Sequence, residues 1–277
     1  MKPLKLAIAG LGTVGAGVVL ALADRRAEIA ERAGCTFQIV AVAARDKNKK
    51  RGCALEDIPW TDDVVSLANT DADVIVELIG GEDGPAYALA KAALGAKKHL
   101  VTANKALLAY HGAELAALAE ENGVTLRFEA AAAGGIPIVK ALRESFIGYG
   151  VHTVRGILNG TCNYILTQME ASGLDFAEVL AEAQRLGFAE ADPELDVGGG
   201  DTAHKLALLS SLAFGVKPDL AHMRVTGIRH ISFEDIQFAR EFGYRIKLLG
   251  IARKTPLGLS QLVQPAMVKR GTPLAEV

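Results

Sequence analysis

The first half of the chain alternates apolar runs with helical patterns. The runs are LKLAIA (4–9), FQIVAVAA (37–44), DVIVELIG (73–80), KKHLVTA (97–103) and VTLRFEA (124–130). Short, nearly continuous apolar runs of this kind read as strands buried on both faces. Helical patterns follow the first run at once, the third from near Pro85 and the fourth from about Lys105. This βα alternation predicts an α/β fold, with an N-terminal Rossmann-type doubly wound parallel sheet. Ligands bind beyond the carboxyl ends of such strands, where Ile79, Gly80, Thr102, Asn104 and Lys105 fall. A lysine in a first helical turn opposes the positive end of the helix dipole, so Lys105 points to a functional use.

After about residue 135 the pattern changes. GGIPIVKALRESF reads as a short helix with Pro137 in its first turn. HTVRGILNG (152–160) reads as a strand, and TCNYILTQMEASG and DFAEVLAEAQRLG as amphipathic helices. An acidic loop and an apolar helix follow. Residues 244–254 and 259–268 read as strands of an antiparallel sheet. The expected organisation is a dinucleotide-binding domain at 1–134 and a second, α+β domain at 135–277. No internal repeat or low-complexity stretch interrupts either.

Between the first strand and the first helix stands Gly10-Leu11-Gly12-Thr13-Val14-Gly15. GxGxxG is a weak signal alone and a good one in this strand-to-helix context. The glycines allow a tight turn, and the helix N-terminus offers free N–H groups to a pyrophosphate. Arg45 follows the second strand, with Lys47, Lys49, Lys50 and Arg51 close behind. Arginine pairs well with a 2′-phosphate, which favours NADP. Asp46 could hold the ribose hydroxyls of NAD instead.

The stretch 187–205, GFAEADPELDVGGGDTAHK, carries five carboxylates (Glu190, Asp192, Glu194, Asp196, Asp201) and no basic residue before Lys205. Asp201 and Lys205 are spaced to share one face of the apolar helix that follows. Such residues are seldom buried unless paired. The pattern suits a proton-handling site, although Asp201 could equally be a helix cap and Lys205 could reach water.

The 277 residues carry a net charge of −2 and half are hydrophobic; nothing suggests a polyanion-binding surface, and the one basic cluster, KNKKR at 47–51, could be a solvated loop, a weak nucleic-acid patch or a phosphate clamp. Three scattered cysteines give neither a disulfide framework nor a zinc site and fit a reducing, cytoplasmic compartment. The apolar N-terminus is broken by Gly10, Gly12, Gly15 and Gly17, which rules against a signal peptide, and no apolar run is long enough for a membrane span.

Five motifs in order give the chain its resemblance: GLGTVGAGV (10–18), VTANKALLA (101–109), EAAAAGGIPI (129–138), GILNGTCNYIL (156–166) and GFAEADPELDVGGGDTAHKLALL (187–209). With these the chain resembles homoserine dehydrogenase over essentially its whole length. The resemblance implies NAD(P)-dependent interconversion of L-homoserine and L-aspartate 4-semialdehyde, in threonine, methionine and isoleucine biosynthesis. It implies that residues 10–15 and Lys105 bind the cofactor, beside Gly80 and Arg45 from the readings above. Gly187 and Glu190 would lie between cofactor and substrate. Gly160, Thr161, Glu190, Asp196 and Asp201 would surround the homoserine, and Lys205 would be the proton donor, oriented by Asp201. Main-chain oxygens of Glu129, Ala132, Gly134 and Ile136 would hold a structural sodium ion. The second domain would be the substrate-binding, catalytic and dimerisation domain of a homodimer, with neither nucleic acid nor membrane as partner.

The chain departs from the family pattern in three places. Gly198 stands where an acid is usual, Phe188 where many relatives have Tyr, and the chain stops at Val277 where relatives continue. The resemblance therefore implies a truncated chain, with an unprotected strand edge near 244–268. Nearby acids are expected to keep Lys205 protonated, so homoserine oxidation should quicken at alkaline pH. Two rival readings are an acylating semialdehyde dehydrogenase with Cys162 as nucleophile, and a non-catalytic NADP-binding sensor.

Overall fold

The computed structural model describes residues 3–277. The chain divides into two units, Met1–Val139 and Lys140–Val277. The division falls just after the 134/135 boundary read from the sequence. Val139 is buried and its N–H donates to Glu129 Oε1 at 2.8 Å, which ties the residues after Gly135 back into the first unit.

The first unit contains β1 (Leu4–Ala9), α1 (Thr13–Asp24), α2 (Arg26–Ala33), β2 (Phe37–Ala43), β3 (Trp60–Thr61), a 3₁₀ segment (Val64–Asn69), β4 (Val74–Glu77), α3 (Pro85–Gly95), β5 (His99–Thr102), α4 (Lys105–Glu121), β6 (Leu126–Arg127) and α5 (Glu129–Ala132). The six strands run β3-β2-β1-β4-β5-β6 and pair in parallel throughout. This is the doubly wound order, whose strand order reverses at β1 and β4. The central strands are apolar on both faces because helices cover them: Ala7, Ile8, Ala9 and Ile75 are fully buried, as are Leu89, Ala90, Ala93 and Leu94 of α3.

Two sequence readings are corrected here. The fifth run, 124–130, is a strand only at Leu126–Arg127, and Glu129 already opens a helix. Its one partner strand among the described residues, β5, ends at Thr102, whose hydroxyl takes the N–H of Asn104 at 2.9 Å and turns the chain into α4. The short edge strand β3 was not anticipated, since two residues behind Pro59 carry no periodicity.

The second unit opens in the three-residue helix α6 (Ile138–Lys140), begun before the division, and a π turn (Ala141–Ser145) where the sequence suggested one short helix. It continues with β7 (Thr153–Gly156), α7 (Gly160–Ser172), α8 (Phe176–Arg185), α9 (Glu194–Val197), α10 (Gly200–Phe214), β8 (Arg224–Val225), α11 (Phe233–Glu241), β9 (Tyr244–Thr255) and β10 (Gly258–Lys269). The sheet order is β7-β9-β10-β8. β7, β9 and β10 are antiparallel, but β8 joins β10 in parallel, so the sheet is mixed rather than purely antiparallel. The acidic stretch is not all loop either: α9 lies inside it.

α7 and α10 cover this sheet through Ile165, Leu166, Met169 and Leu206, in one core with Leu248 of β9. Gly250 of β9 lets α10 approach: a Cβ there would stand 2.9 Å from Leu158 and 3.2 Å from Thr202. The absence of that one carbon seats the first turn of α10 beside the β7–α7 connection. β8 reaches only Leu262 and Val263 of β10. The rest of that edge has no strand partner among the described residues. Between it and α11 lies an open groove lined by exposed Phe238, Phe242 and Met267.

Candidate active site

The glycine turn is built by exclusion. Gly10 has φ +93°, and a Cβ on it would fall 2.4 Å from Leu78 O. A Cβ on Gly15 would fall 1.9 Å from Gly10 O. Both positions therefore need glycine, and together they press α1 and the β4 end against the turn. Gly12 caps α1 and meets nothing within 4 Å. Thr13 and Val14 are exposed in the first turn. The result is an open helix N-terminus with room above it, which fits a pyrophosphate.

Arg45 is exposed beyond β2, as a 2′-phosphate contact requires. Asp46 Oδ1 instead accepts the N–H of Asn48 at 2.8 Å, and is engaged in its own turn. Arg51 donates to the carbonyls of Leu11 (3.1 Å), Lys49 (2.7 Å) and Asp46, and its guanidinium lies 5.0 Å over Trp60. The basic run is thereby fastened to the glycine turn. Gly80 lies past β4 with φ +85°, and Lys105 is the first residue of α4 behind the Asn104 cap.

One residue of this unit was missed from the sequence. Glu77 is fully buried at the end of β4. Its carboxylate accepts the N–H groups of Ile79 (2.7 Å) and Gly80 (3.2 Å) and the hydroxyl of Thr102 (2.5 Å). It ties the loops after β4 and β5 together. A charge inside the apolar run VIVELIG was the available signal.

The residues matched to a sodium site, Glu129, Ala132, Gly134 and Ile136, lie in and just after α5. Glu129 O and Ile136 O each accept one N–H, from Ala133 (3.2 Å) and Ile138 (2.8 Å). Neutral main-chain oxygens of this kind suit a hard cation.

In the second unit the structure brings Asp196, Asp201, Lys205 and Thr161 together. Lys205 Nζ donates to Asp201 Oδ2 at 2.9 Å and to Leu158 O at 2.9 Å. Only 5% of the Asp201 side chain and 22% of the Lys205 side chain are exposed. The pair is not a solvated surface bridge, and removing one partner of such a pair costs about 3–5 kcal/mol. Thr161 Oγ1 lies 3.0 Å from Asp196 Oδ2 and 3.1 Å from Phe188 O. Gly160 opens α7 at the edge of this cluster. Gly187 and Glu190 are exposed. Among the described residues the Glu190 carboxylate joins none of these hydrogen bonds, though its main-chain oxygen accepts Gln184 Nε2 at 3.0 Å.

The remaining acids serve elsewhere. Glu194 pairs with Arg229, and Asp192 Oδ1 takes the N–H of Glu194 at 3.1 Å. A Cβ on Gly198 would land 2.4 Å from Glu194 Oε1, so position 198 faces that ion pair. Phe188 rests on Tyr164 with ring centroids 4.7 Å apart.

Asn159 is the second residue missed. It is buried, its Nδ2 donates to Asp196 Oδ1 (2.7 Å) and Asp201 Oδ2 (2.9 Å), and its Oδ1 caps α7 through the Cys162 N–H (2.7 Å). An Asn placed just before Gly-Thr at a helix start was the only local hint.

Cys162 is not a thiolate nucleophile. Its Sγ is buried and donates to Asp196 O at 3.2 Å. Burial, with Asp196 and Asp201 alongside, pushes the thiol up to about 12. A nucleophile needs the opposite shift.

A doubly wound sheet with a glycine cradle, and a second unit holding a lysine in an acid network, define a two-unit dinucleotide-binding protein. Residues 10–129 match the NAD-binding domain of homoserine dehydrogenase, and residues 137–277 match the homoserine dehydrogenase family. The homoserine dehydrogenase of Pseudomonas aeruginosa is 46% identical over 278 residues, covering all of this chain and 63% of the relative. The crystal structure of the Thiobacillus denitrificans homoserine dehydrogenase is 44% identical with a TM-score of 0.96, covering all of this chain and 64% of that one. A putative homoserine dehydrogenase from Archaeoglobus fulgidus is 35% identical with a TM-score of 0.87, covering 98% of this chain and 86% of that one. The chain belongs to the homoserine dehydrogenase family. It spans just under two thirds of the length of the first two of these relatives.

Proposed function

We propose that the chain interconverts L-homoserine and L-aspartate 4-semialdehyde with NADP, and with NAD less well, in the cytoplasmic biosynthesis of threonine, methionine and isoleucine. The observation that carries this reading is the Lys205 ammonium, held at 2.9 Å by both Asp201 and Leu158 O. Two of its three protons are committed, and the third has no acceptor among the described residues.

The nicotinamide supplies or takes the hydride. In reduction Lys205 gives its proton to the developing alkoxide and stabilises it with its charge. In oxidation the lysine takes the hydroxyl proton. Asp201 and Leu158 O orient the ammonium. Gly160, Thr161, Glu190, Asp196 and Asp201 hold the substrate, with Gly187 and Glu190 also serving the cofactor. Gly10, Gly12, Thr13, Val14, Gly15, Gly80 and Lys105 hold the nucleotide. Exposed Arg45, and Asp46 engaged with Asn48, favour NADP. The oxygens of Glu129, Ala132, Gly134 and Ile136 take sodium. The open edge of β10 and the apolar groove beside it support a homodimer formed through the second unit.

The test is cofactor reduction followed by absorbance with L-homoserine, NADP and NAD in parallel, beside Lys205→Ala. Turnover abolished in the variant upholds the reading, and the ratio of the two rates gives the cofactor. Tight NADP binding with no turnover by the parent chain overturns it.

A further inference from the structure

Asn159 does more than a helix cap requires. A cap needs one acceptor aimed at the first-turn N–H groups, and Ser, Thr or Asp would serve equally. Asn159 spends its Oδ1 on that task, on Cys162 N. Its amide NH₂ is left over, and the two donors of that group go to two different carboxylates, Asp196 Oδ1 and Asp201 Oδ2. Asp201 Oδ2 is the same oxygen that receives Lys205 Nζ. The residue before it, Leu158, supplies the other acceptor for Lys205. The β7–α7 connection therefore grips the lysine through one residue and both acids through the next.

The chemistry of the alternatives shows why the residue is asparagine. Among good caps, only Asn combines the cap acceptor with two N–H donors and no charge. Asp would add a third carboxylate, and Ser offers a single hydroxyl proton. A lysine or arginine could bridge the acids but would cancel their charge. With Asn, the bridge between the two carboxylates carries no positive charge of its own.

We infer that Asn159 is a positioning residue for the substrate: its neutral amide holds Asp196 and Asp201 side by side and adds no positive charge between them, so that the two carboxylates stay set for a substrate carrying an ammonium group. This rests on the dehydrogenase reading, in which these acids meet an α-amino acid.

The test compares Asn159→Ser and Asn159→Asp in the full chain, since both replacements keep a good cap. Unfolding midpoint, NADPH affinity by fluorescence, homoserine binding by calorimetry and the KM and kcat of homoserine oxidation are measured for each. The expected result is near-parental stability and NADPH affinity, with the KM for homoserine raised about ten- to a hundredfold, the loss expected when hydrogen bonds to charged groups go. Asp should be the worse of the two, although as a cap it equals Ser. Unchanged KM and unchanged homoserine affinity in a folded Asn159→Ser overturn the inference. So does an Asp variant that outperforms Ser, because a pure cap has no reason to punish either. Should Asn159→Ser fail to fold, Asn159→Asp is read against the parent by the same criteria. A parent chain that neither binds nor oxidises homoserine defeats the dehydrogenase reading itself, and the inference falls with it.

Discussion

At Gly10–Gly15 the groups proposed to bind the nucleotide are main-chain N–H groups, kept in place by two glycines with no room for a Cβ. At Lys205 almost every group that matters is a side chain, kept in place by another side chain or by one carbonyl. The first arrangement is stiff and indifferent to most chemistry, but it tolerates no added volume at particular atoms. The second tolerates volume better and fails when one functional group is lost. The same chain thus carries a site defined by shape and a site defined by proton and charge.

The sharpest break in that contrast is Lys205→Ala. Loss of the proton donor should lower kcat by about 10²–10⁴-fold, with NADPH affinity unchanged. Steady-state kinetics beside nucleotide titration checks this, and a kcat within a few-fold of the parent would remove the lysine from the chemistry.

Shape is tested next, by two alanines in one turn. Gly10→Ala should cost about 2 kcal/mol or more, because a left-handed residue acquires a Cβ 2.4 Å from a carbonyl oxygen. Gly12→Ala meets nothing within 4 Å and should leave stability within about 0.5 kcal/mol while weakening NADPH binding. Urea unfolding and fluorescence titration of both variants separate the two effects. Equal stability losses would mean that the turn is not built by exclusion.

A smaller effect concerns Lys247, buried on β9 with its ammonium on Asn163 Oδ1 (2.8 Å), Thr167 Oγ1 (3.2 Å) and Val277 O (2.7 Å). Burial, with Arg245 adding to it and Glu170 and Glu276 opposing it, lowers this lysine from its ordinary 10.5. The fold thus favours the neutral amine. Its contribution is complete above 10.5 and is lost as pH falls through the lowered folded value. The stability difference between the parent and Lys247→Met should therefore move in the parent's favour between pH 7 and pH 10. A difference that stays flat across that range in urea titrations contradicts the assignment.

The smallest effect is expected at Cys162. With its thiol near 12, alkylation at pH 8 should be far slower there than at half-buried Cys35 or Cys53, as peptide mapping would record. Cys162→Ser should leave turnover within about twofold.

Much of the first unit was legible because its signals are local. The run LKLAIA is β1 at its stated bounds, and Lys105 opens α4 where the pattern placed it. The glycine turn spans a few consecutive residues, so strand, turn and helix could be read in one pass. The fifth strand was misjudged because its length depends on β5, which stops at Thr102 for a reason rooted in Glu77. In the second unit α7, α8, α10 and the long hairpin could be read, but not α9 or α11, nor β8, whose two residues join β10 in parallel from a distant part of the chain.

By itself the sequence determined the alternation of strands and helices, the glycine turn, and the presence of Asp201 one turn ahead of Lys205, since each depends on spacings within a single element. Only the tertiary structure decided which acids join that lysine. Asp196 and Asp201 meet at Asn159, 37 and 42 residues away in the chain, while Glu194 is drawn off to Arg229. Hydrogen bonds reach about 3 Å and charges act over a few more, so partners are set by how β7, α7 and α10 pack and not by distance along the chain.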